Sequence, residues 1–362
     1  MNILIATGSS GGHIYPALAF GDYFECRHPD AKILYIAGLR AKEKGFFSRV
    51  NPERVLYFRE RGFSFFGIIS CVCNLIKNYL RSYQIITREK PDVIIGFGSN
   101  VSLPVVFAGR CLAYPCVIHE QNVRFGKANM LLRLIGCRTA LSFSPPRKSA
   151  NDRVTGNIIR HTFVEEAERT GAEKKKGGPF RLLALGGSQG SRFINDLVLA
   201  YAGNRTDEEK ESFAVTLITG HEDYERVSRT VETRGLQIAL FSFTDEMPLL
   251  YKEADILLAR AGAGVIAETL IFCLPAVYIP YPYAGQHQKA NAYYAEAAGA
   301  AKVIIQNADA LRTFTGWMQQ IRQEPEQLLR MAESAKKIRI MDSCERFTGI
   351  IEDLMEERGK NG

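Results

Sequence analysis

The chain has no run of about 18 uninterrupted apolar residues, so no segment reads as a membrane-crossing helix. It has no basic leader ahead of an apolar stretch and no small-residue cleavage site. Met1 to Thr7 is already an apolar strand, and no secretory signal is expected. None of the eight cysteines (26, 71, 73, 111, 116, 137, 273 and 344) forms a C-x-x-C pair. Most sit in apolar runs, so buried, reduced thiols of a cytoplasmic protein are expected rather than disulfides or zinc ligands. No Asp-x-Asp pair occurs. Hard cations need clustered oxygen ligands, so no metal and no cofactor are expected. Nucleic-acid motifs are absent too. The formal charge of +7 is too small to imply a nucleic-acid partner and only biases the chain towards phosphates or an acidic membrane surface.

What is present fits a folded α/β protein. At 362 residues the chain is long for one core and fits two domains. With 46% hydrophobic and 23% charged residues, disordered and collagen-like classes are excluded. Short apolar runs alternate with helix-length segments. The first strand series is Asn2–Ala6, Lys32–Ile36, Asp92–Gly96 and Cys116–His119, with helices such as Tyr15–Arg27 and Ser102–Leu112 between. A second series is Arg181–Leu185, Ala214–Ile218, Ile238–Phe241, Ile256–Ala259, Ala276–Ile279 and Ala301–Ile304. This alternation predicts parallel sheets covered on both faces. The polar stretch Glu165–Pro179, with Lys174, Lys175 and Lys176, reads as an inter-domain linker. The domains are therefore expected at 1–160 and 161–339, with a terminal helix at about 340–362 packing back on the first.

Four glycine segments follow strands. Gly8-Ser9-Ser10-Gly11-Gly12-His13 precedes a helix with Pro16 in its first turn. Glycines let backbone amides approach an anion, and the helix N-terminus adds about half a positive charge. The plainer reading is a tight turn. Gly186-Gly187-Ser188-Gln189-Gly190-Ser191 follows Arg181–Leu185, and Ser188 can donate its hydroxyl to phosphate. It is neither a Walker A loop nor a G-x-G-x-x-G fingerprint. Arg260-Ala261-Gly262-Ala263-Gly264-Val265-Ile266-Ala267-Glu268 follows Ile256–Ala259. Glu268 can accept hydrogen bonds from vicinal hydroxyls, or simply answer the helix dipole. Gly96-Phe97-Gly98-Ser99-Asn100 in the first half is a candidate for a second anionic ligand.

In Phe63–Leu80, 12 of 18 residues are apolar, and Phe66, Ile69, Cys73, Ile76 and Leu80 fall at helical spacing. Arg59, Arg61, Lys77, Arg81, Arg88 and Lys90 flank or punctuate the stretch. Such a helix suits an anionic bilayer surface or, equally, a domain core.

The segments GSSGGHIYPALA, GFGSNVSLP, HEQNVRFGKAN, VTGNIIR, LGGSQGSRFIN, FTDEMPLLYKEADILLARAGAG and PYPYAGQHQKANA, in this order, carry a specific resemblance. The chain resembles the MurG family, the peptidoglycan N-acetylglucosaminyltransferases of glycosyltransferase family 28, from residue 1 to about 305. The resemblance implies a GT-B fold, two Rossmann-like domains with parallel sheets facing across a cleft. It implies inverting transfer of N-acetylglucosamine from UDP-N-acetylglucosamine to the muramoyl 4-hydroxyl of lipid I, giving lipid II. Ser10, Gly11, Gly12, Asn122, Arg160, Ser188, Thr244, Ala263, Gly264, Val265, Ile266, Ala267, Glu268 and Gln288 match donor-site positions. Glu268 would take the ribose, Thr244 the uracil through its backbone, Gln288 the sugar, and Arg160 the donor from the hinge. Gly98, Ser99 and Asn100 match the acceptor loop. The resemblance also implies a peripheral enzyme at the cytoplasmic face of the plasma membrane, with other cell-wall proteins as candidate partners.

His13 is the candidate base, since an imidazole titrates near neutrality; positioning the substrate is its other reading. Glu120 is the rival carboxylate. His28 and His221 read as surface residues, His161 as near the hinge and His287 as lining the sugar pocket. The chain departs from the family pattern at Ser9 and Ser10, at Ser99 and Asn100 where Gly-Tyr is common, at Val265 for a usual Thr, and at GNIIR, which lacks a Pro. Rival functions are a diacylglycerol glycosyltransferase of similar fold, a UDP-N-acetylglucosamine epimerase, and an inactive scaffold for cell-wall enzymes.

Overall fold

Strands of three to seven residues, most of them feeding a helix, build two parallel sheets. The computed structural model describes all residues except 44, 61–67, 146, 170–177, 188–189, 206–211, 284–285 and 362, and only the backbone at 43, 68, 69 and 361. The chain divides into two units, Met1–His161 with Asp342–Gly362, and Thr162–Met341.

In unit 1 the strands are β1 (Asn2–Ala6), β2 (Lys32–Gly38), β3 (Val55–Phe58), β4 (Val93–Gly96), β5 (Cys116–Glu120), β6 (Arg138–Leu141) and β7 (Asp152–Val154). Their order is β3-β2-β1-β4-β5-β6-β7, with every described pairing parallel. The helices are α1 (Gly11–Arg27), α2 (Leu39–Glu43), α3 (Ile68–Glu89), α4 (Ser99–Cys111) and α5 (Lys127–Leu134). Successive side chains of a strand point to opposite faces. Ile3 and Ile5 accordingly join a core with Phe20 and Phe24 of α1, while Leu4 and Ala6 join another with Ile85, Ile86 and Val105 of α3 and α4. Burial on both faces is what a parallel sheet requires.

Unit 2 begins with α6 (His161–Arg169), whose first residue falls in unit 1. Its strands are β8 (Phe180–Leu185), β9 (Phe213–Ile218), β10 (Ala239–Phe241), β11 (Ile256–Ala259), β12 (Ala276–Tyr278) and β13 (Ala301–Val303), in the order β10-β9-β8-β11-β12-β13 and again parallel. Helices α7 (Arg192–Gly203), α8 (Tyr224–Thr233), α9 (Met247–Glu253), α10 (Ala263–Ile271), α11 (His287–Ala297), α12 (Ala310–Gln323) and α13 (Glu326–Ile338) cover it. The last helix, α14 (Ser343–Asn361), lies in unit 1. Its Phe347 ring sits 4.8 Å from Phe20 and 6.0 Å from Phe97.

Three sequence readings change. β3, β6 and β7 were not legible, because they are three or four residues long and two begin with Asp or Arg. The polar linker read at Glu165–Pro179 starts as helix. Phe163 and Ala167, one turn apart on α6, are buried, with Phe163 6.1 Å from Tyr251, and Glu166 pairs with Lys252 at 2.5 Å. Residues 170–177, including Lys174–Lys176, lie outside the described ones. Finally, all eight thiols are free, but only Cys71, Cys116, Cys137 and Cys344 are buried; Cys26, Cys73 and Cys111 are exposed. Cys73 shares the outward face of α3 with Val72 and Ile76.

Candidate active site

The order of each sheet fixes where a ligand can bind. In unit 1, β1 lies between β2 and β4, so the chain leaves β1 and β4 to opposite sides; in unit 2, β8 and β11 stand in the same relation. Ligands of open α/β sheets bind at such a switch point, outside the carboxyl ends of the strands. All four glycine segments leave these four strands.

In unit 1 helix α1 begins at Gly11, not at Tyr15 as the sequence suggested. Gly11, Gly12 and His13 are therefore its first turn, and Ser10 is the N-cap with extended backbone. First-turn amides have no partner within the helix and are ready to bind an anion. The loop after β4 comes against them. A Cβ on Gly8 would stand 2.8 Å from the Ser99 Cβ, and one on Gly98 would stand 3.3 Å from the His13 ring. His13 Nδ1 lies 2.7 Å from the Phe97 carbonyl oxygen. A carbonyl only accepts, so Nδ1 carries the hydrogen and Nε2 is the ring nitrogen left for a ligand. Gln121 Nε2 donates to the same carbonyl at 3.0 Å.

Glu120, at the end of β5, is buried. Its Oε1 accepts from the Asn122 amide at 3.0 Å and from Asn122 Nδ2 at 3.3 Å. Its Oε2 accepts from the Gly126 amide and from Asn129 Nδ2, each at 2.9 Å. A carboxylate offers about four lone-pair sites, and all four are used on the loop 120–129. This geometry changes the reading of Glu120 from rival base to loop anchor. His119 beside it is fully buried, and burial pulls its pKa down to about 4. Its Nε2 lies 3.2 Å from the Gly156 carbonyl, and its ring meets Phe347 edge-on. Arg160 stacks over Tyr15 of α1 at 5.7 Å. Asn100 follows Ser99 in the first turn of α4.

Ser99 has a left-handed backbone, φ 83°. A side chain is strained in that conformation.

In unit 2 the loop after β8 leads to Ser191, the N-cap of α7, which accepts from the Ile194 amide. Gly186 and Gly190 cannot carry a side chain, because a Cβ would come within 2.1 Å of the Ser191 nitrogen and 2.4 Å of the Thr219 carbonyl. Ser188 lies outside the described residues. Arg260, at the end of β11, donates from Nε to Ser191 Oγ at 3.0 Å and from a terminal nitrogen to the Ile279 carbonyl at 3.0 Å. The rings of Phe193 and Tyr281 flank its guanidinium at 5.6 and 5.5 Å. Burial lowers its pKa to about 10, and no carboxylate among the described residues pairs with it. It is a buried cation, still charged at neutral pH, at the floor of two glycine loops.

Gly262 caps α10, so Ala263, Gly264 and Val265 form its first turn. Ile266 and Ala267 are buried on its inner face. Glu268 is the sixth residue, beyond the turn where the helix dipole acts. It accepts from the Tyr251 hydroxyl at 3.0 Å. Gln288 of α11 accepts from the Tyr281 amide at 2.9 Å. Thr244, beyond β10, accepts from the Glu246 amide at 3.1 Å, and Phe243 beside it is 52% exposed. These residues all leave the carboxyl edge of one sheet. Sequence reading gave no role to Arg260, His119, Gln121 or Asn129. An arginine between an apolar strand and glycines was the one visible signal; buried polar residues within HEQN and GKAN look like ordinary loop.

His28, His161 and His221 are exposed and His287 is half-buried. On α3, Val72, Ile76, Leu80 and Tyr83 are 46%, 53%, 56% and 44% exposed, an outward apolar row. Asn74 and the buried Asn78 of the same helix donate to the Arg59 carbonyl. Phe63, Phe65, Phe66 and Arg61 lie outside the described residues, as do the side chains of Ile68 and Ile69. No described helix is long and apolar enough to cross a membrane.

Residues 3–136 match the glycosyltransferase family 28 N-terminal domain and residues 181–347 its C-terminal domain. The UDP-N-acetylglucosamine–N-acetylmuramyl-(pentapeptide) pyrophosphoryl-undecaprenol N-acetylglucosamine transferase of Carboxydothermus hydrogenoformans is 32% identical over 372 aligned positions, covering 99% of each chain. The enzyme of the same name from Geobacter metallireducens is 30% identical over 99% of this chain and all of its own. The crystal structure of Acinetobacter baumannii MurG, a GT-B protein, superposes with TM-score 0.79 at 21% identity, over 97% of this chain and 99% of that one. The UDP-GlcNAc 2-epimerase of Neisseria meningitidis shares the fold at TM-score 0.65 and 13% identity, over 98% of this chain and all of its own. With parallel α/β units, glycine loops at the switch points and full-length likeness above 30%, the chain belongs to glycosyltransferase family 28, among its peptidoglycan N-acetylglucosaminyltransferases.

Proposed function

We propose that this chain transfers N-acetylglucosamine from UDP-N-acetylglucosamine to the 4-hydroxyl of the muramoyl-pentapeptide sugar of lipid I, forming lipid II with inversion. The observation that carries this is the likeness, at 32% identity and 99% coverage of both chains, to a relative with that donor and acceptor in its name. The acceptor oxygen attacks the anomeric carbon as the bond to UDP breaks. His13 Nε2 takes the hydroxyl proton, because the Phe97 carbonyl holds the ring with its other nitrogen protonated. Glu120 keeps Asn122 in place. The acceptor diphosphate lies at Gly98, Ser99 and Asn100, where α4 begins.

The leaving UDP needs its growing negative charge met. Amides of the first turn of α10, the Ser188 loop and the Arg260 charge meet it as preorganised dipoles and a fixed cation. Glu268, oriented by Tyr251, takes the ribose hydroxyls. Thr244 offers its backbone to the uracil, and Gln288 contacts the sugar. Ser10, Gly11, Gly12, Asn122 and Arg160 complete the donor contacts. The chain works at the cytoplasmic face of the plasma membrane, held peripherally through the outward row of α3 and its basic flanks. Other cell-wall synthesis proteins are its partners there.

Transfer of labelled N-acetylglucosamine to a short-chain lipid I analogue, with EDTA present, tests this. Transfer is expected. Donor binding without transfer would move the assignment to a diacylglycerol acceptor or an epimerase, and no donor binding would leave a scaffold.

A further inference from the structure

The first glycine loop is held from two sides. On the β4 side Gly8 packs against Ser99, and His13 meets the Phe97 carbonyl. On the β3 side the Ser9 hydroxyl donates to Glu60 Oε2. These two groups meet over the end of β2, in the space that Gly38 leaves free. A Cβ on Gly38 would collide with both the Ser9 hydroxyl oxygen and the Glu60 carboxyl group.

Both ends of the Ser9–Glu60 bond are anchored. Glu60 follows Arg59, whose carbonyl accepts from Asn74 and Asn78 of α3 at 2.9 and 3.1 Å, and Asn78 is buried. Ser9 precedes Ser10, the N-cap of α1, whose own side chain makes no capping hydrogen bond. The Ser10 carbonyl accepts from the His13 amide at 3.0 Å and from the Ile14 amide at 3.1 Å. A continuous series of bonds therefore runs from α3 through Glu60 and Ser9 to the turn that carries His13. Glycine-rich backbone has much conformational freedom to lose, so a loop without a side-chain cap needs another restraint to keep one geometry. A hydrogen bond to a carboxylate is among the stronger restraints a side chain can supply.

We propose that Ser9 and Glu60 are positioning residues for His13. They fix the entry of α1 and, with it, the place from which the imidazole Nε2 is presented. The Phe97 carbonyl selects the tautomer of the ring, and the Ser9–Glu60 bond holds the turn close enough for that carbonyl to reach it. The proposal rests on the base assigned to His13 above and adds the support that such a base requires. A general base acts only within hydrogen-bond reach of its proton, and a displacement of about 1 Å is enough to cost rate.

The test uses Ser9→Ala, Glu60→Leu, Gly38→Ala and Glu60→Gln in the full chain. The first two remove the bond. Gly38→Ala pushes the pair apart without removing either group, and Glu60→Gln keeps an oxygen for Ser9 to donate to. Affinity for UDP, which the loops of unit 2 would carry, should stay at the parent value and shows that each variant folds. Two readouts follow. In the first three variants kcat should fall by about tenfold with acceptor KM within about twofold of the parent, and Glu60→Gln should recover most of the loss. Nitrogen-15 NMR of histidine-labelled protein reads the ring directly, with His13 assigned among the six histidines by its loss in His13→Ala. The parent should show the Nδ1-protonated tautomer. Ser9→Ala, Glu60→Leu and Gly38→Ala should move it towards the mixture of a free imidazole, and Glu60→Gln should not. A His13 signature that stays at the parent value in the first three variants overturns the proposal, whatever turnover does. A Glu60→Gln variant as impaired as Glu60→Leu overturns it too, because the carboxylate charge and not the bond would then matter. A changed signature with full turnover, in these variants and in His13→Ala alike, would uphold the positioning and remove the base, so the two assignments fail separately.

Discussion

The two units carry glycine loops at equivalent switch points and surround them with different chemistry. Unit 1 surrounds its glycine loops with side chains that accept or hold protons: His13, His119, Gln121, Glu120 and Asn129. Unit 2 builds its loops from backbone amides over a buried cation, Arg260. On the proposed function, the difference gives one fold the two halves of a displacement. Proton removal needs a group near its own pKa, and leaving-group stabilisation needs fixed charge that never titrates.

The sharpest way to break this comparison is His13→Ala. Turnover should fall by about 10²–10⁴ while donor affinity, measured by direct titration, barely changes. Near-wild-type turnover would remove the base from unit 1. The pH dependence of folding is the next largest effect. The unfolded chain protonates His119 at an ordinary imidazole pKa of 6.5, and the folded chain only near about 4. The unfolded state therefore binds more protons between these values. Stability is full above about pH 6.5 and falls as pH drops towards 4, by up to about 3 kcal/mol. Urea midpoints across this range should show the loss, and His119→Phe should flatten it.

Arg260→Met tests the other half. Donor binding and turnover should weaken by about 10- to 100-fold, the scale of one charge-assisted contact. If only acceptor KM moves, Arg260 does not serve the UDP. The smallest expected effect is Ser99→Gly. It relieves a left-handed residue worth roughly 1–2 kcal/mol and loses the hydrogen bond that Ser99 Oγ accepts from the Val101 amide at 3.2 Å. A net gain of about 1 kcal/mol or less should show as a slightly higher Tm. A clear loss would mean that the serine hydroxyl matters more than the strain.

Much of the fold is legible before folding. β1 and β11 match their apolar runs residue for residue, because central parallel strands are buried on both faces and read as continuous hydrophobic runs. β7, with Asp152 and Arg153 at the sheet edge, has no such run. The start of α1 was misplaced because Gly11 and Gly12 are poor helix formers, and packing against the sheet overrides propensity.

The sequence alone determined the alternation of strand and helix, the glycine loops, and the family that carries them, since these depend on residue type and order along the chain. Only the tertiary structure decided that Glu120 is fully engaged, that His13 presents Nε2, and that Arg260 lies buried without a carboxylate among the described residues. Each depends on partners from separate elements, such as Phe97 for His13 and Ser191 for Arg260, 69 positions away. A hydrogen bond or a desolvated charge exists only once folding brings both groups within about 3 Å and removes water from between them.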